Sequence, residues 1–167
     1  MSNAENKDGQ ISNGTPIKMI NDRQMRILIV DDSKLLRKKL RDELEKLGCE
    51  VIEASNGKEA ISFDLEHEPD GIILDIVMPE VGGIEALSTI REITPAVPVV
   101  MLSSAGTPQK LMQTLKMGAI DFIQKPYTHE QIVRAVETIQ RIRIKNLKKA
   151  AEEAKKLQEA NEGGESQ

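Results

Sequence analysis

The sequence lacks the features on which several large classes of protein depend. Its 167 residues include one cysteine, one tyrosine, two phenylalanines and no tryptophan. The single cysteine, Cys49, excludes an internal disulfide framework. No apolar run approaches the roughly 18–20 residues that span a bilayer, and no charged-then-apolar secretory leader opens the chain. We therefore expect a soluble, intracellular protein with cytoplasmic localisation and no membrane partner.

An excess of positive charge is also missing. The formal net charge is −4 and the isoelectric point is about 5.4. Binding to a nucleic-acid backbone needs a basic surface, so this balance argues against a nucleic-acid partner. The hydrophobic fraction of 39% is enough for one compact domain with a core, with residues left over for tails.

Three segments can be separated by composition and periodicity. Residues 1–24 are rich in Asn, Gly and Ser without periodicity, which predicts a disordered amino-terminal arm. Residues 25–142 alternate between strand and helix patterns and form the predicted domain. Residues 143–167 continue the last helix as a charged extension and then reach a disordered end.

Within the domain, five short apolar runs alternate with five helical patterns. The predicted strands are Arg26–Val30, Glu50–Ala54, Gly71–Asp75, Val97–Leu102 and Asp121–Gln124. The predicted helices begin near Ser33, Gly57, Gly83, Thr107 and Thr128. Strict alternation of this kind predicts an α/β fold with a doubly wound parallel sheet and right-handed crossovers.

The last predicted helix has two parts. Ile132, Val133, Val136 and Ile139 form an apolar face that docks on the sheet, and the helical pattern then runs through residues 141–160 without Gly or Pro. Ile144, Leu147, Ala151 and Ala154 are spaced like a thin coiled-coil seam. The extension is interpreted as a solvated helix, with a connector to a partner or output domain as the alternative.

Polar residues follow four of the predicted strands directly. They are Asp31 and Asp32, Asp75, Ser103 and Lys125. Ligands of open parallel sheets sit at the carboxyl ends of the strands, so we expect these side chains to converge at one edge.

The residue types at this edge suit phosphoryl transfer. A carboxylate such as Asp75 can accept a phosphoryl group as a mixed anhydride. Asp31 and Asp32 beside a third acid would repel one another unless a cation intervened, and Mg²⁺ prefers carboxylate oxygens and bridges to phosphate. Ser103 offers a hydroxyl to a phosphoryl oxygen, and Lys125 offers a positive charge to the carboxylate or the phosphate. A cis bond before Pro126 would aim the lysine inward.

These residues stand in motifs that match a known family. The chain resembles the receiver domains of bacterial two-component response regulators over about residues 25–142, and its core is similar in length to the chemotaxis response regulator. The matching segments are Ile29-Val30-Asp31-Asp32-Ser33, Leu74-Asp75-Ile76-Val77-Met78-Pro79, Gly82-Gly83, Val99-Val100-Met101-Leu102-Ser103-Ser104, Gly118-Ala119, Asp121-Phe122 and Lys125-Pro126. The resemblance implies a (βα)5, flavodoxin-like sheet with strand order 2-1-3-4-5.

The resemblance also assigns roles at the site. It implies that Asp75 is the phosphoacceptor for a histidine kinase, and that Asp31, Asp32 and Asp75 bind Mg²⁺ together with the backbone carbonyl of Val77. Lys125 would pair with the carboxylate or the phosphate.

Two further residues correspond to the family's switch. Ser103 stands at the switch hydroxyl and Phe122 at the switch aromatic, and their movement would remodel the face formed by helix 4, strand 5 and helix 5. That face would bind a downstream protein partner or output domain, or a second copy of the chain. The last helix is a second possible dimer contact.

The chain departs from the family at Ser104, where an alanine is common, and at two positions that bear on hydrolysis. Val77, two residues after Asp75, and Ala105, two residues after Ser103, carry no group that could position a hydrolytic water. We therefore predict slow self-dephosphorylation, and no enzymatic activity beyond self-phosphorylation and self-dephosphorylation.

Two alternatives to a stand-alone receiver remain open. The chain is also similar to the receiver half of chemotaxis methylesterases, so it could be a fragment whose last helix couples to an output enzyme of the methylesterase or diguanylate cyclase type. A more remote alternative is an Mg²⁺ phosphohydrolase with Asp75 as nucleophile. Such enzymes need a second Asp at the position of Val77 and an inserted cap segment that covers the substrate, and this sequence has neither.

Overall fold

The structure, a computed structural model, describes residues 19–20, 23–78, 80–104 and 107–164. Seven strands are present: β1 (Met19–Ile20), β2 (Arg23–Gln24), β3 (Arg26–Val30), β4 (Glu50–Ala54), β5 (Gly71–Asp75), β6 (Val99–Ser103) and β7 (Asp121–Gln124). Five helices alternate with the last five strands: α1 (Lys34–Lys46), α2 (Gly57–His67), α3 (Gly83–Ile93), α4 (Pro108–Lys116) and α5 (His129–Gly164).

Strands β3 to β7 form one parallel sheet. Their order across the sheet is β4-β3-β5-β6-β7, which is 2-1-3-4-5 when these five strands are counted along the chain. Ile29 pairs with Ile73, and Ile73 pairs with Val100, so the three central strands are in register at their middles. The predicted doubly wound fold and its strand order are confirmed.

Both faces of the sheet are covered, so its three central strands, β3, β5 and β6, are buried on both sides. Ile27 and Ile29 of β3 pack into a core with α1 and α5, whereas Leu28 and Val30 pack into a second core with α2, α3 and α4. All five residues of β5 are buried, as are all five of β6. This double burial explains why these strands appear in the sequence as continuous apolar runs rather than as alternating patterns.

Side-chain caps fix where four of the helices begin, and at α2 the Asn56 side chain accepts a hydrogen bond from the Glu59 amide. The Ser33 hydroxyl accepts a hydrogen bond from the Leu36 amide, and the Thr107 hydroxyl accepts one from Lys110, with Pro108 as the first helical residue of α4. At the start of α5, the Gln131 amide donates to Thr128 Oγ1 while the Thr128 amide donates to Gln131 Oε1. These reciprocal bonds satisfy amides that the first helical turn leaves without partners.

The structure corrects the sequence prediction at the arm. Strands β1 and β2, within the segment predicted as disordered, pair with each other in antiparallel fashion. Arg23 then forms a bidentate ion pair with Asp70, at 2.8 and 2.9 Å, which holds the end of the arm against the domain. The prediction for residues 1–18, like that for residues 165–167, lies outside the described residues.

The last helix keeps contact with the domain beyond the predicted boundary at residue 142. Arg143 pairs with Asp70, the Asn146 amide donates to the Ala96 carbonyl at 3.0 Å, and Leu147 packs on the core. Every residue from 148 to 163 is exposed. Among the residues with described structure, no helix is both long enough and apolar enough to cross a membrane.

Candidate functional site

Four neighbouring strands deliver polar residues to one edge of the sheet. Asp31 directly follows β3, Asp75 ends β5, Ser103 ends β6 and Lys125 directly follows β7. Since these parallel strands are adjacent in the order β3-β5-β6-β7, their carboxyl ends lie side by side. The predicted convergence of these residues at one edge is therefore a feature of the structure.

Lys125 is the centre of the charge arrangement. Its Nζ atom lies 2.6 Å from Asp31 Oδ2 and 3.4 Å from Asp75 Oδ2. The peptide bond between Lys125 and Pro126 is cis, and the Lys125 amide donates to the Ser103 carbonyl at 2.8 Å. The lysine side chain is 12% exposed, so it bridges two buried carboxylates from within the protein.

The three acids form a cluster suited to a divalent cation. Each of Asp31, Asp32 and Asp75 offers a carboxylate oxygen, and these oxygens lie within 4.8 Å of one another. Asp31 and Asp75 are buried while Asp32 is exposed, so the cluster opens to solvent on one side. An all-carboxylate donor set with an open side fits Mg²⁺, which takes few protein ligands and keeps several waters.

Local bonds fix the orientation of Asp31. Its Oδ1 atom accepts a hydrogen bond from the Ser33 amide at 2.9 Å, which leaves Oδ2 for Lys125. The Arg37 guanidinium donates to the Asp31 carbonyl at 2.7 Å. Sequence reasoning missed this role of Arg37, although its position one turn into α1 places it over the end of β3.

Close packing holds the backbone around Asp75. The Val77 amide donates to Asp75 Oδ1 at 3.3 Å. A Cβ atom built on Gly83 would lie 1.9 Å from the Asp75 carbonyl oxygen, so α3 can begin this close to Asp75 only with glycine at that position. The Gly82-Gly83 pair was recognised in the sequence as a motif, but its steric reason becomes visible only in three dimensions.

Burial and charge act in opposite directions on the two central groups. Burial raises the pKa of Asp75; the charge of Lys125 lowers it, and the neighbouring Asp31 raises it further, so the net shift is upward. Burial alone would lower the pKa of Lys125, but the hydrogen bond from its ammonium to Asp31 and the charge of Asp75 raise it overall. The lysine therefore stays charged beside a carboxyl that ionises less readily than an ordinary aspartate.

The two predicted switch residues occupy different environments. Ser103 is 1% exposed at the end of β6, opposite Gln124 of β7. Phe122 lies on β7, is partly buried, and packs against the core shared by α2, α3 and α4. Ala105 lies outside the described residues, whereas the side chain of Val77 is 54% exposed beside the acid cluster.

Tyr127 is a neighbour of the site that sequence reasoning did not identify. Burial raises the pKa of its hydroxyl to about 12, and the charges of Glu43 and Asp31 add to that shift. Within the described residues, the buried Tyr127 hydroxyl and Glu43 Oε2 have no hydrogen-bond partner. A tyrosine after a proline gives no local signal of this environment, because the facing acid comes from α1.

Comparison with known proteins gives one consistent result. The family profile described as "Response regulator receiver domain" matches residues 27–137. The chemotaxis protein CheY of Thermotoga maritima is 39% identical over 115 residues, which are 68% of this chain and 96% of that protein.

Two further relatives extend the comparison. The protein-glutamate methylesterase/protein-glutamine glutaminase of Archaeoglobus fulgidus is 42% identical in an alignment 141 residues long, and the match covers 75% of this chain but 40% of that protein. Among solved structures, the CheX-CheY-BeF3-Mg+2 complex from Borrelia burgdorferi contains a chain with a TM-score of 0.67 and 32% identity. The match covers 77% of this chain and 94% of that one.

Proposed function

Because the chain belongs to the family of response regulator receiver domains, we propose that Asp75 accepts a phosphoryl group from a histidine kinase and that this phosphorylation controls binding of a partner protein. The chain would act in a two-component phosphorelay in the cytoplasm, without a nucleic-acid or membrane partner of its own. It would have no enzymatic activity beyond its own phosphorylation and dephosphorylation.

One observation carries this proposal: Lys125 Nζ lies within reach of both Asp31 and Asp75, at the edge where Asp32 completes the acid cluster. A buried lysine between two acids holds a fixed positive charge beside the proposed nucleophile. Charge developing on a transferring phosphoryl group is stabilised by groups already in place, because they need no reorganisation during the reaction.

The proposed step exchanges one bond to phosphorus for another. An Asp75 carboxylate oxygen attacks the phosphorus atom of a phosphohistidine, and a P–O bond forms as the P–N bond breaks. The electron pair of that bond returns to the imidazole nitrogen, and Asp75 becomes an acyl phosphate. Val77, whose amide already donates to Asp75 Oδ1, helps to hold the carboxylate in place.

The remaining charges compensate the phosphoryl group. Asp31, Asp32 and Asp75, with the Val77 backbone carbonyl, would hold Mg²⁺, which supplies positive charge opposite the phosphoryl oxygens. Lys125 would move from its two carboxylate partners toward the new phosphoryl oxygens. Both acids near Lys125 are buried, so this redistribution of charge takes place with little screening by water.

We propose that the switch passes from Ser103 to Phe122. The Ser103 hydroxyl would turn toward the phosphoryl group, and Phe122 would move further inward on β7. Because Ser103 and Gln124 are paired across β6 and β7, movement at Ser103 is communicated directly to the strand that carries Phe122. The face of α4, β7 and α5 would then favour a downstream partner or a second copy of the chain.

Intact mass spectrometry tests the central step. The full chain is incubated with Mg²⁺ and acetyl phosphate as a small phosphodonor, beside the variants Asp75→Asn and Asp42→Asn. Asp42 is an exposed aspartate of α1, so its variant controls for nonspecific acylation of surface carboxylates. One added phosphoryl group is expected on the wild-type chain and on Asp42→Asn, and none on Asp75→Asn.

Chelation of Mg²⁺ should abolish the added mass in every chain. A phosphoryl group that persists in Asp75→Asn would contradict the assignment of the phosphoacceptor. The absence of both phosphorylation and beryllofluoride binding by the folded wild-type chain would contradict the receiver chemistry as a whole.

A second candidate is a receiver that controls an attached output enzyme. The alignment with the methylesterase reaches 75% of this chain, against 68% for CheY, and the methylesterase is much longer than the aligned region. The intact mass of the native protein, isolated from its source, separates the two possibilities. A mass above that of this sequence would favour an output enzyme, of which a diguanylate cyclase is another type, whereas a matching mass would favour a stand-alone receiver.

A further inference from the structure

A cleft lies at the opposite edge of the sheet from Asp75. It has a volume of about 490 Å³ and is bordered by Arg26 at the start of β3, Pro69 before β5 and Val97 before β6. Its floor is therefore separated from Asp75 by the length of β5, which is roughly 16 Å for five residues. A cleft of this volume is in the range of small-molecule sites.

Three arginines from distant parts of the chain converge on this cleft. Arg23 comes from the arm, Arg26 from β3 and Arg143 from the extended part of α5. Their side chains are 40%, 39% and 26% exposed, so each guanidinium group is accessible to a solute. Asp64 and Glu68 are the acids of the lining, and Asp70 and Glu50 pair with the same arginines, so an anion would be held by free guanidinium N–H donors and not by a net positive charge.

A buried carboxylate fixes two of these arginines. Asp70 is 0% exposed and accepts hydrogen bonds from both Nη atoms of Arg23, from the Arg26 amide and from Arg143 Nε. This anchoring reduces the conformational entropy that a ligand would have to remove from the arginines. One buried aspartate thus preorganises two guanidinium groups at the mouth of the cleft.

Two of the three arginines retain unused donors: Arg143, which Asp70 anchors, and Arg26, whose guanidinium group bonds to Glu50 and the His67 carbonyl. Within the described part of the chain, Arg143 donates through Nε alone, so the N–H groups on its two terminal nitrogens are available. Arg26 donates to Glu50 through Nε and to the His67 carbonyl through Nη1, which leaves Nη2. Planar, fixed guanidinium donors of this kind match the oxygens of a phosphate.

The other wall of the cleft is mainly apolar. It contains Leu65 in the last turn of α2, Pro69 after that helix, and Pro95, Ala96 and Val97 before β6. Leu65 is 57% exposed there, although it is a large apolar side chain. Thr94 closes this side through its hydrogen bond to the buried Asp64, at 2.5 Å. A ligand that fits would pair an anionic group with an apolar or planar body.

We propose that this cleft binds a small phosphate monoester with a planar or apolar body, the chemical class that includes mononucleotides. Its phosphate would lie between Arg143 and Arg26, and its body against Leu65 and Val97. The arm and the extended α5 both contribute arginines, so the two segments that flank the receiver domain together build this second site.

The proposal is tested by titrating the full chain with adenosine 5′-monophosphate and measuring the NMR chemical shifts of the backbone amides. Mg²⁺ is removed by chelation, so that the acid cluster offers no cation to the phosphate. Saturable shifts are expected at the amides of Thr94, Ala96 and Val97 and around Arg143. Adenosine, which lacks the phosphate, is expected to bind at least about tenfold more weakly.

Two pairs of variants localise the binding. Leu65→Glu places a negative charge on the apolar wall without touching the Asp70 contacts, and Leu157→Glu makes the same change at an exposed position of the extension, away from the cleft lining. Arg143→Ala removes the proposed phosphate contact, with Arg141→Ala as its matched control on the same helix. We expect Leu65→Glu and Arg143→Ala each to weaken binding of the monophosphate by about tenfold or more.

The two control variants are expected to bind like the wild-type chain. Leu65→Glu keeps the proposal testable if Arg143→Ala fails to fold. The absence of saturable shifts, equal weakening by Leu157→Glu, or shifts confined to the region of Lys125 would each overturn it.

Discussion

At the scale of the single residue, the proposed reaction needs the ionised carboxylate of Asp75, whereas the burial of Asp75 disfavours that charged form. A phosphoacceptor must be ionised to attack phosphorus, yet Asp75 is 5% exposed and burial raises its pKa. Lys125 reduces this conflict because its charge favours the carboxylate, while Asp31 acts in the opposite direction. The carboxylate of Asp75 is therefore less stable than one in water, and the proposed transfer of a phosphoryl group would remove that unfavourable buried charge.

The raised pKa of Asp75 leads to a prediction about stability and pH. In the folded protein Asp75 binds its proton up to a higher pH than in the unfolded chain, so stability is lost as pH rises from its ordinary pKa through its raised folded pKa. Asp75→Asn has no such loss. We expect Asp75→Asn to melt a few degrees higher than the wild-type chain at neutral pH, with a smaller difference in acid.

Thermal unfolding at several pH values between about 4 and 8 measures this difference. Asp42→Asn, which makes the same substitution at an exposed position on α1, is the matched control. A gap between Asp75→Asn and the wild-type chain that widens toward acid would contradict the sign of the shift.

Val77 gives a kinetic prediction at the same scale. Its side chain is 54% exposed beside the acid cluster and offers no hydrogen bond to a water molecule that attacks the acyl phosphate. Val77→Asn supplies an amide at that position without disturbing the core. We expect dephosphorylation to become on the order of tenfold faster, since one well-placed hydrogen bond contributes roughly 1.4 kcal/mol to a transition state.

The decay of the phosphorylated chain by intact mass, after removal of the phosphodonor, measures the rate. Val77→Ala is the matched control, because it changes the size of the side chain without adding a polar group. Equal decay of Val77→Asn and Val77→Ala would mean that water positioning by this residue does not limit the reaction.

At the scale of elements, β5 is a fully buried strand with an aspartate at each end. Asp70 precedes its first residue and Asp75 is its last, and both carboxyl groups lie inside the protein. Their environments differ in kind. Asp70 is surrounded by donors from Arg23, Arg26 and Arg143, whereas the only cation that contacts Asp75 in the described structure is Lys125. The contacts of Asp70 hold the arm and α5 against the domain, whereas Asp75 keeps fewer partners, as its proposed reaction requires.

Asp70 should therefore contribute much more to stability than a surface acid. Asp70→Asn keeps the shape of the side chain but removes the charge that two arginines share, and it leaves an amide where the Arg26 N–H needs an acceptor. We expect a loss of about 2–4 kcal/mol in the free energy of unfolding. Urea denaturation measures it.

Glu50→Gln serves as the comparison, since Glu50 is 48% exposed and pairs with a similarly exposed Arg26. A surface pair of this kind contributes about 0–1 kcal/mol. Similar losses in the two variants would show that the buried ion pairs of Asp70 add nothing beyond ordinary surface charge.

At the scale of the whole molecule, there is a clear physical reason why the sequence predicted the sheet and the edge at which the acid cluster and Lys125 lie. Each strand that is buried on both faces is a continuous apolar run, and the residue after it is displayed at a known edge. Asp31, Asp75 and Lys125 could therefore be placed together although they are far apart in sequence. The caps Ser33 and Thr107 were equally local signals.

The contacts that sequence reasoning missed depend on distant partners. Strands of two residues, such as β1 and β2, are too short to show a period of alternation. Asp70 lies between Pro69 and Gly71, where a turn is the ordinary interpretation, and its burial follows from Arg23 and Arg143 at the two ends of the chain. The Tyr127 environment depends in the same way on Glu43 of α1.

The same long-range contacts determine where the folded unit ends. The sequence placed the boundary at residue 142, but the last contacts with the domain come from Arg143, Asn146 and Leu147. We propose that the folded unit ends at Leu147 and that residues 148–164 form a projecting helix of roughly 25 Å. With all its residues from 148 to 163 exposed, this part has little to contribute to the stability of the domain.

Two truncated chains test this boundary by urea denaturation. Ending the chain after Leu147 is expected to change the free energy of unfolding by less than about 1 kcal/mol, because only exposed residues are removed. Ending it after Ile142 also removes the Arg143 ion pair, the Asn146 hydrogen bond and the packing of Leu147, and is expected to cost about 2–4 kcal/mol. Equal losses in the free energy of unfolding for the two truncations would move the boundary back to residue 142. A large loss for the chain that ends after Leu147 would mean that the projecting helix is covered in solution. The cover would then be a second copy of the chain, packed through Ile144 and Leu157, or the rest of the same chain.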